Sequence, residues 1–336
     1  MNSPRPFPAR RTFLLSLAST GAAALVWKGM DKQQGRLIVT ESAHALGARV
    51  TMTALHDDEA TARRALRAAF AELERVEAVM SLYRHDSQIS RLNREHALDQ
   101  PDPYLVEVVN YAAELAARTQ GAFDITVQPL WALYAEARHH GRLPEHAAIR
   151  AALDRVGWRN VRATAQRIEL HGAGVAITLN GIAQGFAADA AMRALATHGV
   201  QDALIDTGEL SGRGHNAEGA AWSIGIQHPR QKTAFAALAK LENRCLATSG
   251  DYETTFSEDY SHHHIFDPVT GQSPGELASV SVLAPTALQA DALSTALFVM
   301  GADRGLAFLQ SFPDTDVLLI SKNGQRRMTA GFPAVA

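Results

Sequence analysis

The chain has 336 residues, 46% hydrophobic and 20% charged, and a formal net charge of −3. That composition supports a sizeable buried core and excludes a basic nucleic-acid surface or a long acidic tail as its organising feature, so no nucleic-acid partner is expected. One cysteine, Cys245, excludes an intramolecular disulfide and reads as a small core residue.

Arg10 and Arg11 precede an uncharged, mostly apolar run that continues to Trp27. A positive start, a twin arginine and a short apolar stretch make a Tat-type export signal. The run from Phe13 to Trp27 is shorter than the roughly 20 residues a spanning helix needs. Residues 1–30 are therefore set apart as the signal, and 31–336 are read as one domain. A periplasmic location follows, with cleavage or retention as an inner-membrane anchor left open.

Residues 37–55 alternate loosely around Val39, Val50 and Met52 and predict strands. Asp57-Asp58-Glu59 opens a helix to about Met80, with Ala65, Leu66, Ala69, Phe70, Leu73, Val76 and Val79 at helical spacing. A second helix spans Pro103–Thr119, capped by Asp102 and stopped by Gly121. Helical segments follow at Leu130–Arg138 and Pro144–Val156. Residues 159–180 predict two short strands around His171-Gly172. Ala183–His198 is a helix ended by Gly199, residues 203–248 carry several strands, and Leu288–Met300 and 303–312 are helical. Val317–Ile320 is the final predicted strand. Strands cluster between helices without βαβ alternation, which indicates an α+β fold.

Five stretches could carry chemistry. Met80-Ser81-Leu82-Tyr83-Arg84, with Ser87, Ser90 and Asn93, reads as a helix end running into a polar loop where Tyr83 could stack a flat ring. Gly121-Ala122-Phe123-Asp124 places a carboxylate among apolar neighbours, where Asp124 would equally serve as a turn cap. Thr178 to Asp189 contains Gly181 and Gly185 at an expected strand-to-helix junction, suited to a phosphate or a metal but without a P-loop ending. His262-His263-His264 suggests a zinc cluster at first sight. Neighbours in extended chain point to opposite faces, however, and no Cys or Glu sits at zinc spacing, so a single histidine facing a phosphate is the better reading. Asp291 and Thr295, at i and i+4, lie on one helix face and offer two hard oxygens of the kind Mg²⁺ prefers.

The order of these blocks resembles the ApbE family, the FAD:protein FMN transferases. Ala247-Thr248-Ser249-Gly250-Asp251-Tyr252 and the stretch from Asp291 to Phe298 are close to the family's pattern, and the likeness runs over about residues 40–325. The resemblance implies an ApbE-like (T-fold-like) mixed domain of clustered antiparallel strands and packed helices. It implies that Asp291, Thr295 and the Gly181 carbonyl ligate Mg²⁺, and that His264 takes part in transfer as a base or as a charge stabiliser. It further implies that Met80, Tyr83, Ala122, Phe123, Asp124, Thr178 and Gln184 line the FAD site. FAD is then the substrate, FMN is moved to a Thr or Ser hydroxyl of an acceptor protein, and AMP leaves. An FAD pyrophosphatase using the same site, or a flavin carrier without catalysis, are the alternatives.

The chain departs from the family pattern at Thr178, often Asp; at Gln184, often Lys; at Ile125, often Pro; and at Asp206-Thr207-Gly208-Glu209, where a Gly-Gly pair is usual. With Gln128-Pro129-Leu130-Trp131, these changes resemble the NosX branch, which implies NosR as acceptor in nitrous-oxide reductase maturation.

Overall fold

The structure is a computed structural model and describes residues 36–332. The expected export signal at 1–30 lies outside the described residues. The chain begins with β1 (Leu37–Ala45), β2 (Ala48–His56), α1 (Glu59–Met80), α2 (Gln88–Glu95), β3 (Ala97–Asp99) and α3 (Pro103–Arg118). A 3-10 turn at Ile125–Val127 leads into α4 (Gln128–His139), α5 (His146–Leu153), β4 (Val161–Ala163), β5 (Arg167–Leu170) and α6 (Ala183–Thr197). Then come β6 (Asp202–Asp206), β7 (Leu210–Arg213), β8 (Trp222–His228), β9 (Gln231–Leu241), β10 (Arg244–Gly250) and β11 (Leu277–Ala284). The described chain ends with α7 (Ala287–Met300), α8 (Ala302–Leu309), β12 (Asp316–Ser321) and β13 (Arg326–Met328).

The main sheet has eight strands in the order β1-β2-β6-β7-β10-β11-β12-β13, and every pairing in it is antiparallel. Helices α1, α6 and α7 cover one face of it. The β8–β9 hairpin covers part of the other, where Trp222, Ile224 and Leu241 pack on Leu55, Leu210, Leu283 and Leu318. Covering both faces explains β11, Leu-Ala-Ser-Val-Ser-Val-Leu-Ala, in which every residue is buried. Helix α7 is buried almost all round, as its nearly continuous apolar sequence dictates. Clustered antiparallel strands with segregated helices make this an α+β fold, as expected.

The caps act where the sequence placed them. The Asp58 side chain accepts from the Ala60 and Thr61 N–H groups at the start of α1, and Asp102 accepts from Tyr104 N–H before α3. Several expectations are corrected. Gln88–Glu95, read as polar loop, is helix α2, capped by the Ser87 hydroxyl. The expected strands around His171-Gly172 lie earlier, as the β4–β5 hairpin, and 173–180 is not strand. That segment satisfies its backbone elsewhere. The Asn93 amide exchanges two 2.8 Å bonds with the Ile177 backbone, and Thr178 N–H donates to the Ile125 carbonyl. Helix α5 is shorter than predicted at both ends, and β12 is followed by β13.

Candidate active site

The end of α1, the loop into α6, the β6–β7 turn, β10 and α7 converge on one cavity of about 580 Å³. Met80, Tyr83, Ala122, Phe123, Asp124, Thr178, Gly181, Gln184, His264, Asp291 and Thr295 all border it. Residues scattered over more than 200 positions of sequence are thus brought together.

Asp291 and Thr295 lie one turn apart on α7. Asp291 is only 4% exposed, and its Oδ2 accepts the Gly185 N–H at 3.0 Å. Burial pushes its carboxyl up to about 7; the charge of Asp189 adds to the rise and the Gly185 N–H opposes it. Thr295 Oγ1 lies 3.1 Å from Ser249 Oγ on β10, and a Cβ on Gly181 would come within 3.0 Å of Thr295 Oγ1. Gly185 is not an exposed junction residue, as the sequence suggested, but sits inside α6. A Cβ there would meet the Ala287 carbonyl oxygen at 2.2 Å, so only glycine lets α6 and α7 approach this closely.

The Gly185 N–H belongs to the first turn of α6, whose donors have no acceptor within the helix. The Asp291 carboxylate supplies one, and among the described residues the Gly181 carbonyl, just before the helix, accepts no backbone N–H. A carboxylate oxygen, a hydroxyl and an unbonded carbonyl are all hard donors, a set that fits Mg²⁺. Among the described residues no cluster of three or more His, Cys, Asp or Glu side chains could hold a metal, so a transition-metal site of that kind is absent there.

The remaining residues occupy the walls and the mouth. Tyr83 is 59% exposed at the rim, just beyond the end of α1. Asp124 borders the cavity, but both its oxygens are engaged by the protein. Oδ1 accepts the Thr126 N–H (2.8 Å) and hydroxyl (2.6 Å), and Oδ2 accepts the Trp158 N–H at 2.9 Å. Its carboxylate is a fastener that shapes the Ala122–Phe123 wall. Gln184 Nε2 donates to the Thr207 carbonyl at 3.2 Å. Of the three consecutive histidines, His264 alone borders the cavity. His263 is fully buried, edge-on to Phe298, and His262 lies beside Tyr134. His264 Nδ1 is buried with no hydrogen-bond partner, and burial lowers its pKa to about 4, so the imidazole is neutral at pH 7.

The ApbE family model matches residues 46–319, most of the chain. The chain belongs to the ApbE family. It is 32% identical over 289 residues to the FAD:protein FMN transferase of Treponema pallidum (strain Nichols), covering 80% of each chain. It is 35% identical over 250 residues to that of Haemophilus influenzae, covering 70% of this chain and 72% of the relative. Among solved structures, the flavin transferase ApbE from Vibrio cholerae matches with a TM-score of 0.78 at 25% identity, over 89% of this chain and all of that one.

Three acidic residues of this ApbE chain were not assigned roles from sequence. Asp189 on α6 caps α7, its two oxygens accepting the Ala287 and Leu288 N–H groups at 2.9 Å each. Asp251, fully buried, receives a two-pronged Arg230 guanidinium at 2.7 Å on each oxygen, which pins the start of the segment that carries His264. Glu209, 8% exposed, borders the cavity floor. Asp189 and Asp251 fall within recognisable motif blocks, but their partners lie 98 and 21 residues away, which spacing does not reveal.

Proposed function

We infer that this protein is an FAD:protein FMN transferase, moving the FMN part of FAD to a hydroxyl of an acceptor protein. The observation that carries the reading is the floor of the cavity. There a buried carboxylate, a hydroxyl and a carbonyl that accepts no backbone N–H come together, in a chain of the ApbE family. A cavity of about 580 Å³ is within the range of sites that enclose an organic ligand.

Asp291, Thr295 and the Gly181 carbonyl are proposed to hold Mg²⁺. The ion, when bound, supplies positive charge to the pyrophosphate and to departing AMP. Tyr83 and Phe123 offer two aromatic surfaces, and Met80 and Ala122 two further apolar ones, for the flavin ring. The acceptor hydroxyl oxygen forms a bond to the FMN phosphorus as the bridging P–O bond to AMP breaks. His264, neutral at pH 7 with a free Nδ1, accepts a proton and brings no positive charge of its own, which favours the base over the charge stabiliser. Arg10-Arg11 and the apolar run after them support export to the periplasm by the Tat route. The departures at Thr178, Gln184, Ile125 and Asp206-Thr207-Gly208-Glu209, with Gln128-Pro129-Leu130-Trp131, support NosR as the acceptor.

The test is mass spectrometry of purified NosR, or another flavin-accepting protein, after incubation with FAD, Mg²⁺ and this protein. A mass gain of one FMN on the acceptor, with AMP released, is expected. Free FMN with an unmodified acceptor would make the protein a pyrophosphatase, and no consumption of FAD would leave it a carrier.

A further inference from the structure

Glu209 follows directly on the stretch where the ApbE pattern has a Gly-Gly pair, and it places a second carboxylate on the cavity. It is 8% exposed, and its one protein partner is the Thr248 N–H, which donates to Oε2 at 3.3 Å. Among the described residues Oε1 has no hydrogen bond and no Lys, Arg or His within ion-pair distance. Burial, and next the charge of Asp291, hold the Glu209 carboxyl well above the usual range.

Two pairs of adjacent residues tie Glu209 to the Asp291–Thr295 pair. On β10, Thr248 N–H bonds Glu209 while its neighbour Ser249 bonds Thr295. On α6, the Gln184 amide bonds the Thr207 carbonyl, two residues before Glu209, while its neighbour Gly185 bonds Asp291. Both carboxylates border the same cavity, Asp291 from α7 and Glu209 from the β6–β7 turn. Gln184 sharpens the imbalance, since it stands where the family often has a lysine and brings no charge to offset Glu209. Two buried carboxylates without a counter-ion repel each other, and a divalent cation between them would neutralise both.

We propose that Glu209 is a second carboxylate ligand of the divalent cation, so that this chain binds its cation before FAD arrives. This rests on the assignment of Asp291, Thr295 and the Gly181 carbonyl to that cation. With Asp291 alone, a bound divalent ion would keep excess positive charge and depend on FAD phosphates to complete its site. With Glu209 added, the charge balances within the protein.

The test is a Mn²⁺ titration of chelator-stripped, FAD-free protein, following the free Mn²⁺ signal by electron paramagnetic resonance. The wild type is expected to bind one Mn²⁺. Glu209→Gln and Glu209→Gly should each weaken that binding by about tenfold or more. Adding FAD should narrow the gap, because phosphate oxygens replace the lost ligand. Thermal melts of each variant check that the fold persists. Wild-type Mn²⁺ affinity in a folded Glu209→Gln or Glu209→Gly protein would overturn the inference. If Asp291→Asn weakens Mn²⁺ binding and the Glu209 variants do not, only Glu209 is removed from the site. If Asp291→Asn also binds normally, the underlying cation assignment fails.

Discussion

Replacing Gly185 by alanine probes packing and site geometry with one methyl group. The added Cβ would lie 2.2 Å from the Ala287 carbonyl oxygen, 2.6 Å from its carbon and 2.8 Å from Asp291 Cβ. Two of these are backbone atoms, so no side-chain rotation relieves them, and α6 and α7 must separate by about 1 Å to restore ordinary contact of about 3.5 Å. Overpacking of this kind costs about 1–3 kcal/mol. Separation also stretches the 3.0 Å bond from Gly185 N–H to Asp291 Oδ2, and a hydrogen bond to a charged group is worth about 1.5–3 kcal/mol. Together these give a loss of about 2.5–6 kcal/mol, or roughly 5–12 °C in melting temperature at about 2 °C per kcal/mol for a chain of this size. The assay pairs a thermal melt with a Mn²⁺ titration, because moving α7 also moves Asp291 and Thr295 relative to Gly181. A melting temperature within 1–2 °C of wild type (about 1 kcal/mol or less) together with unchanged Mn²⁺ affinity would show that the helices do not meet as described.

Asp291→Asn should abolish FMN transfer while stabilising the cation-free protein at pH 8. The carboxyl rises from 3.8 to about 7, and three units at 1.36 kcal/mol each set an upper bound of about 4 kcal/mol. A raised carboxyl loses stability as pH climbs from about 4 to 7, so the advantage of the variant, read by thermal melts, should shrink to at most about 1.7 kcal/mol at pH 5 and vanish below about pH 4. His263 has the opposite sign. Burial holds its pKa near 3 against 6.5 when unfolded, so its contribution is intact above 6.5 and is lost as pH falls towards 3. At pH 5 that loss is about 2 kcal/mol, and His263→Asn should flatten this part of the acid melting curve. His264→Ala should cut the rate of FMN transfer by about a hundredfold while changing FAD affinity far less, measured by single-turnover transfer and flavin fluorescence; unchanged turnover would remove it from the reaction.

The elements that were legible in the sequence announce themselves locally. Asp58 and Asp102 sit at helix starts, Gly121 and Gly199 follow helix ends, and the α1 stripe repeats at helical spacing. Helix α2 was hidden because only Ile89 and Leu92 of its eight residues are buried, leaving a polar, serine-rich surface that resembles a loop. The β4–β5 hairpin was misplaced because its turn at 164–166 lacks glycine, whereas His171-Gly172 supplied a stronger but misleading turn signal. The sheet order was not legible, since β2 meets β6 across about 150 residues and nothing local specifies that pairing. The candidate site was legible by family pattern as a set of residues, yet the reason for Gly185 was not. A through-space approach of two helices leaves no trace in spacing along one of them.

Five acidic residues in and near this cavity show two patterns of satisfaction. Asp124, Asp189 and Asp251 are buried or half-buried, and each has both oxygens bonded by backbone N–H groups, a hydroxyl or a guanidinium. A buried acid serving structure alone should look like this, because an unsatisfied carboxylate oxygen is costly to bury. Asp291 and Glu209 are buried as deeply, but among the described residues each has a single side-chain hydrogen bond, to one oxygen, and no Lys, Arg or His ion pair. Asp291 moreover lies in a helix that is otherwise nearly all apolar, where packing alone gives no reason for a carboxylate. Its one bond caps a first-turn N–H of α6 and leaves its other oxygen without a protein partner. A divalent cation shared by the two carboxylates, the Thr295 hydroxyl and the Gly181 carbonyl accounts for these oxygens together.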